Sequence, residues 1–587
     1  MTLLDWGIVL VYFVASAAIG VYYARRAGGS TEDFFLSGRN LPWWLAGTSM
    51  VATTFAADTP LAVTELVARN GIAGNWIWWN FVCGGVLTVF LFARLWRRAG
   101  ILTDVEFVEI RYSGKAAAFL RGFRAIYIGV FMNCVIMAWV NLAMGSILMG
   151  MFGIPQEHVL VYVGLALLIT AGYSALSGLW GVAVTDAFQF VLAMAGTICL
   201  AVVVLGLPQI GGLSGLVEKL PEWSLRLTPV IGGGSDSGSG AGGALALSLA
   251  AFLAFVGVQW WSSWYPGAEP GGGGYIAQRM MSAKDEKHSL FATLWFTIAH
   301  YCVRPWPWIL VGLATLVLYP ELGPDEKRLG YVYAMRDHLP SGLKGMLVAS
   351  FFAAYMSTIA TQLNWGASYV INDLYRRFVR RDAGERDLVR LSRTTTLLMM
   401  VLSLVFTALL DTISGAWAFI IEAGAGLGLV LILRWFWWRI NAWSEIAATL
   451  GAAVVYAVVR YGTDIPFPIS LYYIVSATTL IWVAVTFLTP PTDIETLKAF
   501  YRRVHPGGAG WAPVAKLLPD VKGDTGFGGL LVAWAAGVVL VYSALFAIGE
   551  LLLGRVDWGL GFAAVALVAA GVVYLQLSRR GFETLVE

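Results

Sequence analysis

Residues 49–67 read SMVATTFAADTPLAVTELV, and residues 258–275 read VQWWSSWYPGAEPGGGGY. Each stretch belongs to an apolar segment long enough to cross a bilayer, yet each contains residues that a continuous helix avoids. The first has Asp58, Thr59 and Pro60 in its middle, and the second has two prolines and a run of glycines. Proline removes a backbone donor and clashes with the preceding turn, and glycine relaxes the helix further. The sequence therefore predicts two helices that are interrupted inside the membrane.

The composition of the chain indicates that the bilayer is its solvent. Of the 587 residues, 58% are hydrophobic and 13% are charged, and the mean hydropathy is +0.72. A soluble globule cannot bury so much apolar surface, which excludes an ordinary cytosolic enzyme. The net charge is +3, and no basic region stands apart, so no nucleic-acid partner is expected. The four cysteines lie in apolar stretches without paired spacing, which suggests neither a disulfide framework nor a zinc site.

Apolar runs between charged or Pro/Gly-rich breaks predict an all-α integral membrane protein with about fifteen spans. They lie near residues 4–24, 43–66, 75–98, 122–152, 158–178, 180–207, 244–266, 288–318, 341–372, 392–411, 414–438, 443–461, 469–488, 530–552 and 557–577. If the N-terminus is outside, most of the 39 basic residues fall in cytoplasmic connections. This asymmetry predicts an integral protein of the plasma (inner) membrane whose C-terminus is cytoplasmic. The first run is followed by Arg25 and Arg26, which indicates a retained span and not a cleaved signal.

Two connecting segments have a distinctive composition. Residues 232–243 read GGGSDSGSGAGG, which predicts a flexible external connection. Residues 490–528 place lysines and arginines among apolar positions. Two interpretations stay open for that segment: it lies on the cytoplasmic membrane surface, or it is a solvated linker.

The two interrupted spans are five spans apart, and an odd offset means that they cross the membrane in opposite directions. A leading span, 4–24, then precedes two inverted repeats of five spans, 43–207 and 244–438, and trailing spans occupy 443–577 in a single transmembrane domain. Unwound backbone at membrane depth is tolerated only where it lines a cavity or binds something. One break alone would reflect the ordinary frequency of Pro and Gly in membrane helices. Two breaks in corresponding positions are typical of a secondary transporter.

A later span offers oxygen ligands for a coupling cation. Residues 349–368 read ASFFAAYMSTIATQLNWGAS, in which Ser357 and Thr358 are adjacent and Thr361 lies one turn later. Such hydroxyls also bond back to their own helix or join helices, but the break in residues 49–67 would supply freed carbonyls and favours an ion site. Asp186 lies well inside an apolar run, where ionisation is costly. That position favours a role for Asp186 along the ion path. The alternative is an acid at the end of a span whose hydrogen bonds are all satisfied.

At these residues the chain resembles the sodium:solute symporter family, whose members include sodium-coupled sugar, proline and sialic acid transporters. The resemblance covers about residues 5–490. It rests on DFFLSGRNLPWW at 33–44, Thr185 and Asp186 followed by Gln189, Gln278 with Arg279, and NDLY at 372–375. It implies a leucine-transporter-type fold of five plus five inverted helices, with one leading span and about four trailing spans.

The resemblance also implies a sodium site. Its ligands would be three backbone carbonyls and two hydroxyls, those of Ala52, Phe55, Ala354, Ser357 and Thr358. Some relatives add a second sodium, using the acid that matches Asp186 and two hydroxyls one turn further on. Thr361 suits that second site or the ion path, but Ala360 does not, so one sodium is expected.

The residues expected around the solute differ from those of sugar carriers. Sugar-transporting relatives carry Gln where this chain has Thr59, Glu at Trp78, Ser at Phe81 and Asn near Gly273. Aromatic residues replace them, and aromatic faces suit a sugar ring or a cationic headgroup. Most of the 26 tryptophans will nevertheless be packing or interface residues. The predicted substrate-binding residues are Asp58, Thr59, Trp78, Trp260, Trp264 and Tyr265.

The charged groups near the breaks leave alternatives open. Asp58 either meets a substrate amine or hydroxyl, or caps the half-helix that begins at Thr59. Glu269 does likewise or is a solvated loop acid. Arg304 and His300 lie one turn apart and either recognise a carboxylate or, as preferred for Arg304, form a structural ion pair.

The sequence thus predicts a sodium-coupled symporter that imports a small polar organic solute, sugar-like, an amino acid or another, by alternating access. The expected partners are that solute, Na⁺ and the bilayer, and the expected state is a monomer or weak oligomer. A polytopic membrane enzyme is the first alternative, but it should cluster His, Asp or Glu at one membrane face, and the five histidines are scattered. The second is a transporter-like sensor, which should carry a soluble output domain after residue 577. The chain is therefore not expected to be an enzyme.

Overall fold

The structure, a computed structural model, describes residues 1–23, 30–235, 243, 245–323, 326–410 and 413–580. These residues form 28 α-helices, and hydrophobic side chains from most of them meet in one large buried cluster. The N-terminal helices are α1 Leu3–Tyr23, α2 Thr31–Leu36, α3 Trp43–Thr53, α4 Asp58–Asn70, α5 Trp76–Trp79, α6 Val82–Leu87, α7 Ala93–Ala99, α8 Phe107–Arg111, α9 Gly114–Ile126, α10 Asn133–Phe152, α11 Gln156–Leu205 and α12 Gly212–Lys219. The strands β1 Val230–Ser235 and β2 Ala246–Leu247 follow and pair in parallel.

The second half is also helical. Its helices are α13 Leu249–Leu253, α14 Trp260–Ser262, α15 Gly274–Ser282, α16 Glu286–Ile298, α17 Pro305–Leu318, α18 Leu329–His338, α19 Leu343–Ser368, α20 Glu385–Leu409, α21 Ile413–Ala423, α22 Gly428–Phe436, α23 Ala442–Gly462, α24 Ser470–Leu488, α25 Ile494–Val504, α26 Ala512–Ala515, α27 Phe527–Leu552 and α28 Val556–Arg580. Short 3₁₀ segments lie at Ser37–Arg39, Ile72–Asn75, Glu222–Leu225 and Ala509–Trp511. π-Helical segments lie at Thr88–Phe92, Tyr127–Met132, Ala254–Gln259, Ala299–Val303 and Tyr369–Val379.

Within the described residues, eleven helices are long and apolar enough to cross a membrane. Each corresponds to one of the predicted spans. The four predicted spans without such a helix are 43–66, 158–178, 244–266 and 414–438. Shorter helices form in three of these regions, and residues 158–178 belong to the first part of α11, which has a non-helical residue at Gly178. The fifteen-span count and the inverted arrangement remain predictions, since they require each of these four regions to cross the membrane as well.

Both interruptions that the sequence predicts are present. In the first, α3 ends at Thr53 and α4 begins at Asp58. In the second, α14 ends at Ser262 and α15 begins at Gly274. Gly272 in the second interruption has φ +73°, and a Cβ atom there would lie 2.9 Å from Trp96 Nε1. That position therefore requires glycine for both backbone conformation and space.

A third interruption, between α21 and α22, was not predicted. The chain there reads GAGLG at residues 424–428, and its backbone pairs with the second break. Trp264 donates its N–H to the Gly424 carbonyl at 3.2 Å, and Gly426 donates to the Ser262 carbonyl at 2.9 Å. The two broken segments thus satisfy one another's freed peptide groups, which is required at membrane depth.

Part of residues 490–528 packs against the rest of the protein, so α25 is not a solvated linker, and a position of the segment at the membrane surface stays a prediction. Leu497, Phe500 and Val504 of α25 are buried, and the Phe500 ring lies 5.6 Å from that of Phe107 in α8. The buried Arg98 of α7 bonds Glu286 at 2.8 Å and Asp524 at 3.3 Å. The apolar face that suggested a membrane surface is therefore covered by protein.

Two other expectations fall largely on residues outside the described ranges. Arg25 and Arg26 lie there entirely, as do most of residues 232–243. The described residues at the start of that glycine-rich segment belong to β1.

Candidate ion and solute site

Helix α19 meets the first broken helix at its break. The Thr358 hydroxyl donates to the carbonyl of Thr53 at 2.8 Å, and it also lies 3.2 Å from the Ala354 carbonyl. Thr53 is the last residue of α3, where the helical hydrogen-bond ladder ends and carbonyls become available. The hydroxyls of α19 and the backbone at the break thus line one place in the membrane interior.

The predicted sodium ligands all lie in this region and are all buried. Ala52 and Phe55 flank Thr53 and Thr54, and the Phe55 N–H donates to the Ala52 carbonyl at 3.0 Å. Ala354 and Ser357 lie on the same helix as Thr358, within one turn of it. A set of backbone carbonyls and hydroxyls of this kind is the hard-oxygen environment that an alkali cation prefers.

Asp186 of α11 joins this region from a third helix. Its carboxylate accepts hydrogen bonds from the hydroxyls of Ser357 at 2.7 Å and Ser49 at 2.5 Å. The side chain is 0% exposed. Asp186 therefore holds α19 and α3 together through their serines, consistent with a place along the ion path.

Arg279 of α15 completes the cluster, although the sequence did not single it out as a site residue. Its guanidinium lies 3.6 Å from the Asp186 carboxylate and donates to the hydroxyls of Thr361 at 2.7 Å and Ser49 at 3.1 Å. Thr361 is in turn 3.0 Å from the Thr53 hydroxyl. The available signal was an arginine inside a buried segment directly after the second break, since such a charge is costly without a partner.

A cavity of about 100 Å³ lies beside the ion region, and Thr53 and Thr358 line both. It is bounded by both halves of the first broken helix and by the second break, where Tyr265 and Pro266 line it. Aromatic rings contribute much of the remaining wall, those of Trp78, Trp139, Trp417 and Tyr275. A solute here would touch the two broken helices and lie next to the cation.

Arg304 and His300 both line this cavity, and the structure links them to the first break. Arg304 donates to the hydroxyl of Thr54 at 3.1 Å and to His300 Nε2 at 3.1 Å. Arginine only donates, so His300 Nε2 accepts and its Nδ1–H donates to Thr54 Oγ1 at 2.9 Å. The preferred structural ion pair for Arg304 is wrong for the described part of the chain, where no carboxylate lies within salt-bridge distance of it.

Asp58 is the first residue of α4 and is 3% exposed. The N-cap residue before it, Ala57, makes no side-chain capping bond to the half-helix. The Oδ1 of Asp58 has no hydrogen-bond partner among the described residues. Asp58 also lines the cavity, and its two roles, contact with the solute and capping of the half-helix, both stay predictions.

Among the other predicted substrate residues, Thr59, Trp78 and Tyr265 line the cavity, but Trp260 and Trp264 do not. The Trp260 ring packs 5.9 Å from that of Trp534, and Trp264 contacts the α21–α22 break. Proximity along the chain to a break did not determine which residues line the cavity, because Trp260 lies in α14 and faces Trp534, whereas Trp264 faces the α21–α22 break. Trp139 and Trp417, which also line the cavity, were not predicted because they lie far in sequence from the two predicted breaks.

Glu269 is buried, contrary to the solvated-acid alternative. Its Oε2 accepts from the Gly267 N–H at 3.1 Å. It does not line the cavity.

A family model for the sodium:solute symporter family matches residues 34–451, which is more than half of the chain. The chain belongs to the sodium:solute symporter family. This membership confirms the resemblance drawn from the sequence motifs, and it identifies a transmembrane protein of sodium-coupled solute symport. Since the family consists of transporters, the enzyme alternative is not favoured.

Curated members of the sodium:solute symporter family match over most of the chain. The sodium/glucose cotransporter of Vibrio parahaemolyticus is 26% identical over 74% of this chain and 81% of its own length. The sodium/mannose cotransporter SLC5A10 of Bos taurus is 24% identical over 75% and 76%. The solved structure of a substrate-bound, outward-open Na⁺-coupled sialic acid symporter covers 84% of this chain and 99% of its own, with TM-score 0.66 and 17% identity. That likeness establishes a shared fold.

Proposed function

We propose that this protein is a secondary active symporter that uses one sodium ion to import a small polar organic solute by alternating access. The observation that carries the proposal is the contact between α19 and the first break, where Thr358 bonds the Thr53 carbonyl beside the cavity. One pair of elements thereby lines both the proposed ion site and the proposed solute site.

The coupling follows from that shared boundary. A bound sodium ion would hold α19 against the broken helix. Its ligands would be the carbonyls of Ala52, Phe55 and Ala354 and the hydroxyls of Ser357 and Thr358. Holding the two elements together would fix the shape of the cavity wall that Thr53 and Thr358 form, so the ion favours solute binding. A membrane potential of about 100 mV adds about 2.3 kcal/mol per ion, enough to accumulate a neutral solute.

Arg279 supports a stoichiometry of one ion. A second sodium would use oxygens of Asp186 and Thr361, and the guanidinium already lies against both. A fixed cation at that distance would repel a second one in a low-dielectric interior.

The test is solute uptake into proteoliposomes that contain the purified full-length protein, with an inward sodium gradient or the same gradient of potassium. The proposal expects uptake of at least one small solute with sodium only, insensitive to a protonophore. Uptake that is equal in potassium, or that collapses with the protonophore while the sodium gradient persists, would contradict sodium coupling.

A further inference from the structure

The cavity places two opposite charges at its wall without letting them pair. Arg304 is 2% exposed and Asp58 is 3% exposed, and both line the cavity. Among the described residues, neither forms a salt bridge with the other or with a third charged group. Two buried, unpaired charges facing one space are costly, so the space is expected to receive groups that compensate them.

The positive charge at the wall is that of Arg304 alone. His300 accepts a hydrogen bond at Nε2 and donates at Nδ1, which is the neutral form of the ring. Arg304 uses three N–H groups, towards the His300 carbonyl, His300 Nε2 and Thr54. N–H donors remain on both terminal nitrogens, which is the arrangement that binds a carboxylate through two bonds.

The negative charge has an environment suited to a cation. Asp58 Oδ1 is buried and unpartnered, and the aromatic rings of Trp78, Tyr265 and Trp417 line the same cavity. Aromatic faces attract an ammonium group by cation–π interaction and tolerate methyl groups on it. A protonated or quaternary amine would therefore satisfy Asp58 and contact the rings.

We propose that the transported solute is a small zwitterion, with its carboxylate on Arg304 and its ammonium group on Asp58. This inference rests on the proposed function and narrows its substrate class. The cavity of about 100 Å³ is well below the roughly 300–1,000 Å³ of sites for drug-sized ligands, which favours a small solute. The charges of Asp58 and Arg304 sum to zero, and a zwitterion is also neutral overall. Sodium would therefore be the only net charge that crosses the membrane in each transport cycle.

The test uses the purified full-length protein and probes that differ in charge at similar size. Glycine betaine, L-proline and L-alanine are zwitterions, choline lacks the carboxylate, propionate lacks the ammonium group, and D-galactose is neutral. Sodium-dependent uptake into proteoliposomes and sodium-dependent thermal stabilisation are measured for each, and then for the remaining standard amino acids. We expect at least one zwitterion to be taken up and to stabilise the protein, with choline, propionate and galactose at least about tenfold weaker.

Two variants test the assignment of each charge. Asp58→Asn should weaken the zwitterion at least about tenfold and reduce its preference over propionate. Arg304→Gln should weaken it similarly and reduce its preference over choline. Sodium-dependent stabilisation without solute should persist in both variants, which shows that they are folded.

The outcomes separate this inference from the proposed function. Sodium-driven uptake of galactose, choline or propionate in preference to every zwitterion would overturn the zwitterion assignment and leave symport standing. The same holds if sodium stabilises the protein but no zwitterion of the set binds, or if Asp58→Asn leaves zwitterion binding unchanged. Failure of sodium to stabilise the wild-type protein, together with sodium-independent uptake, would overturn the proposed function itself.

Discussion

At the scale of single residues, the proposed sodium site depends on two hydroxyls of α19. Thr358→Ala and Ser357→Ala each remove one polar contact to a charged partner, worth about 1.5–3 kcal/mol. The sodium concentration for half-maximal uptake should therefore rise at least about tenfold in either variant.

The matched control for these variants is Ser368→Ala. Ser368 is a buried hydroxyl on the same helix, but it bonds only to the Trp365 carbonyl. Its sodium dependence should match the wild type, and an equal effect in all three variants would instead indicate general damage to α19.

The Arg279 and Asp186 pair makes a second prediction at this scale. Both side chains are fully buried, and removing one partner of a buried pair leaves an uncompensated charge that costs about 3–5 kcal/mol. Arg279→Gln should therefore lower the melting temperature of the detergent-solubilised protein strongly. The double variant Asp186→Asn with Arg279→Gln should recover most of the loss, and a double variant no more stable than Arg279→Gln would show that the pair is not what the arginine stabilises.

At the scale of elements, the second break requires its glycines. Gly272→Ala would place a side chain at φ +73° and within 2.9 Å of Trp96 Nε1. The backbone conformation alone costs about 1–2 kcal/mol, so the variant should lose thermal stability and transport. Gly257→Ala is the control, since it lies in the helical segment before the break and a Cβ there meets nothing within 4 Å. Equal effects in the two variants would refute the requirement.

At the same scale, Glu109 joins α8 to α9 and to the π-helical segment Tyr369–Val379, since it bonds Arg121 at 2.6 Å and Arg377 at 2.8 Å. Burial alone would raise the pKa of Glu109, but Arg377 and Arg121 hold the pKa below its usual 4.5. A carboxylate with a lowered pKa stabilises the folded state above its unfolded pKa, and the contribution is lost as pH falls through the folded pKa.

Glu109→Gln should consequently lower the melting temperature near neutral pH, and the gap to the wild type should close as pH falls below about 4.5. Glu157→Gln is the control, because Glu157 is exposed and forms no ion pair among the described residues. A gap that stays constant with pH would exclude the ionised carboxylate as its cause.

At the scale of the whole molecule, the topology with the N-terminus outside is still a prediction. In a cysteine-free background, Lys219→Cys should react with a membrane-impermeant maleimide in intact cells. Lys522→Cys should react only after permeabilisation. The opposite pattern would invert the topology, and with it the direction of transport.

Much of this architecture could be read from the sequence because the bilayer imposes simple rules. Long apolar runs predicted each of the eleven membrane-length helices, and Pro60 and the glycines near 271–274 located both breaks. The proposed ion region could also be predicted from the sequence, since two adjacent hydroxyls, those of Ser357 and Thr358, are conspicuous in an apolar helix.

The rest of the site could not be derived in this way, because it depends on which faces meet in three dimensions. Trp139 and Trp417 reach the cavity from spans that are distant in sequence. The partnering of the GAGLG break with the second broken helix is a backbone pairing that side-chain patterns do not encode. Docking of α25 on the rest of the protein depends on Phe500 meeting the rings of Phe107 and Trp435, which are distant in sequence, although a membrane surface would also accept an amphipathic helix.

The most direct test of the central claim is saturation binding of radioactive sodium to the purified protein, compared with the double variant Ser357→Ala with Thr358→Ala. We expect one saturable site per chain in the wild type and its loss in the double variant. Saturable binding that survives unchanged in the double variant would contradict that claim.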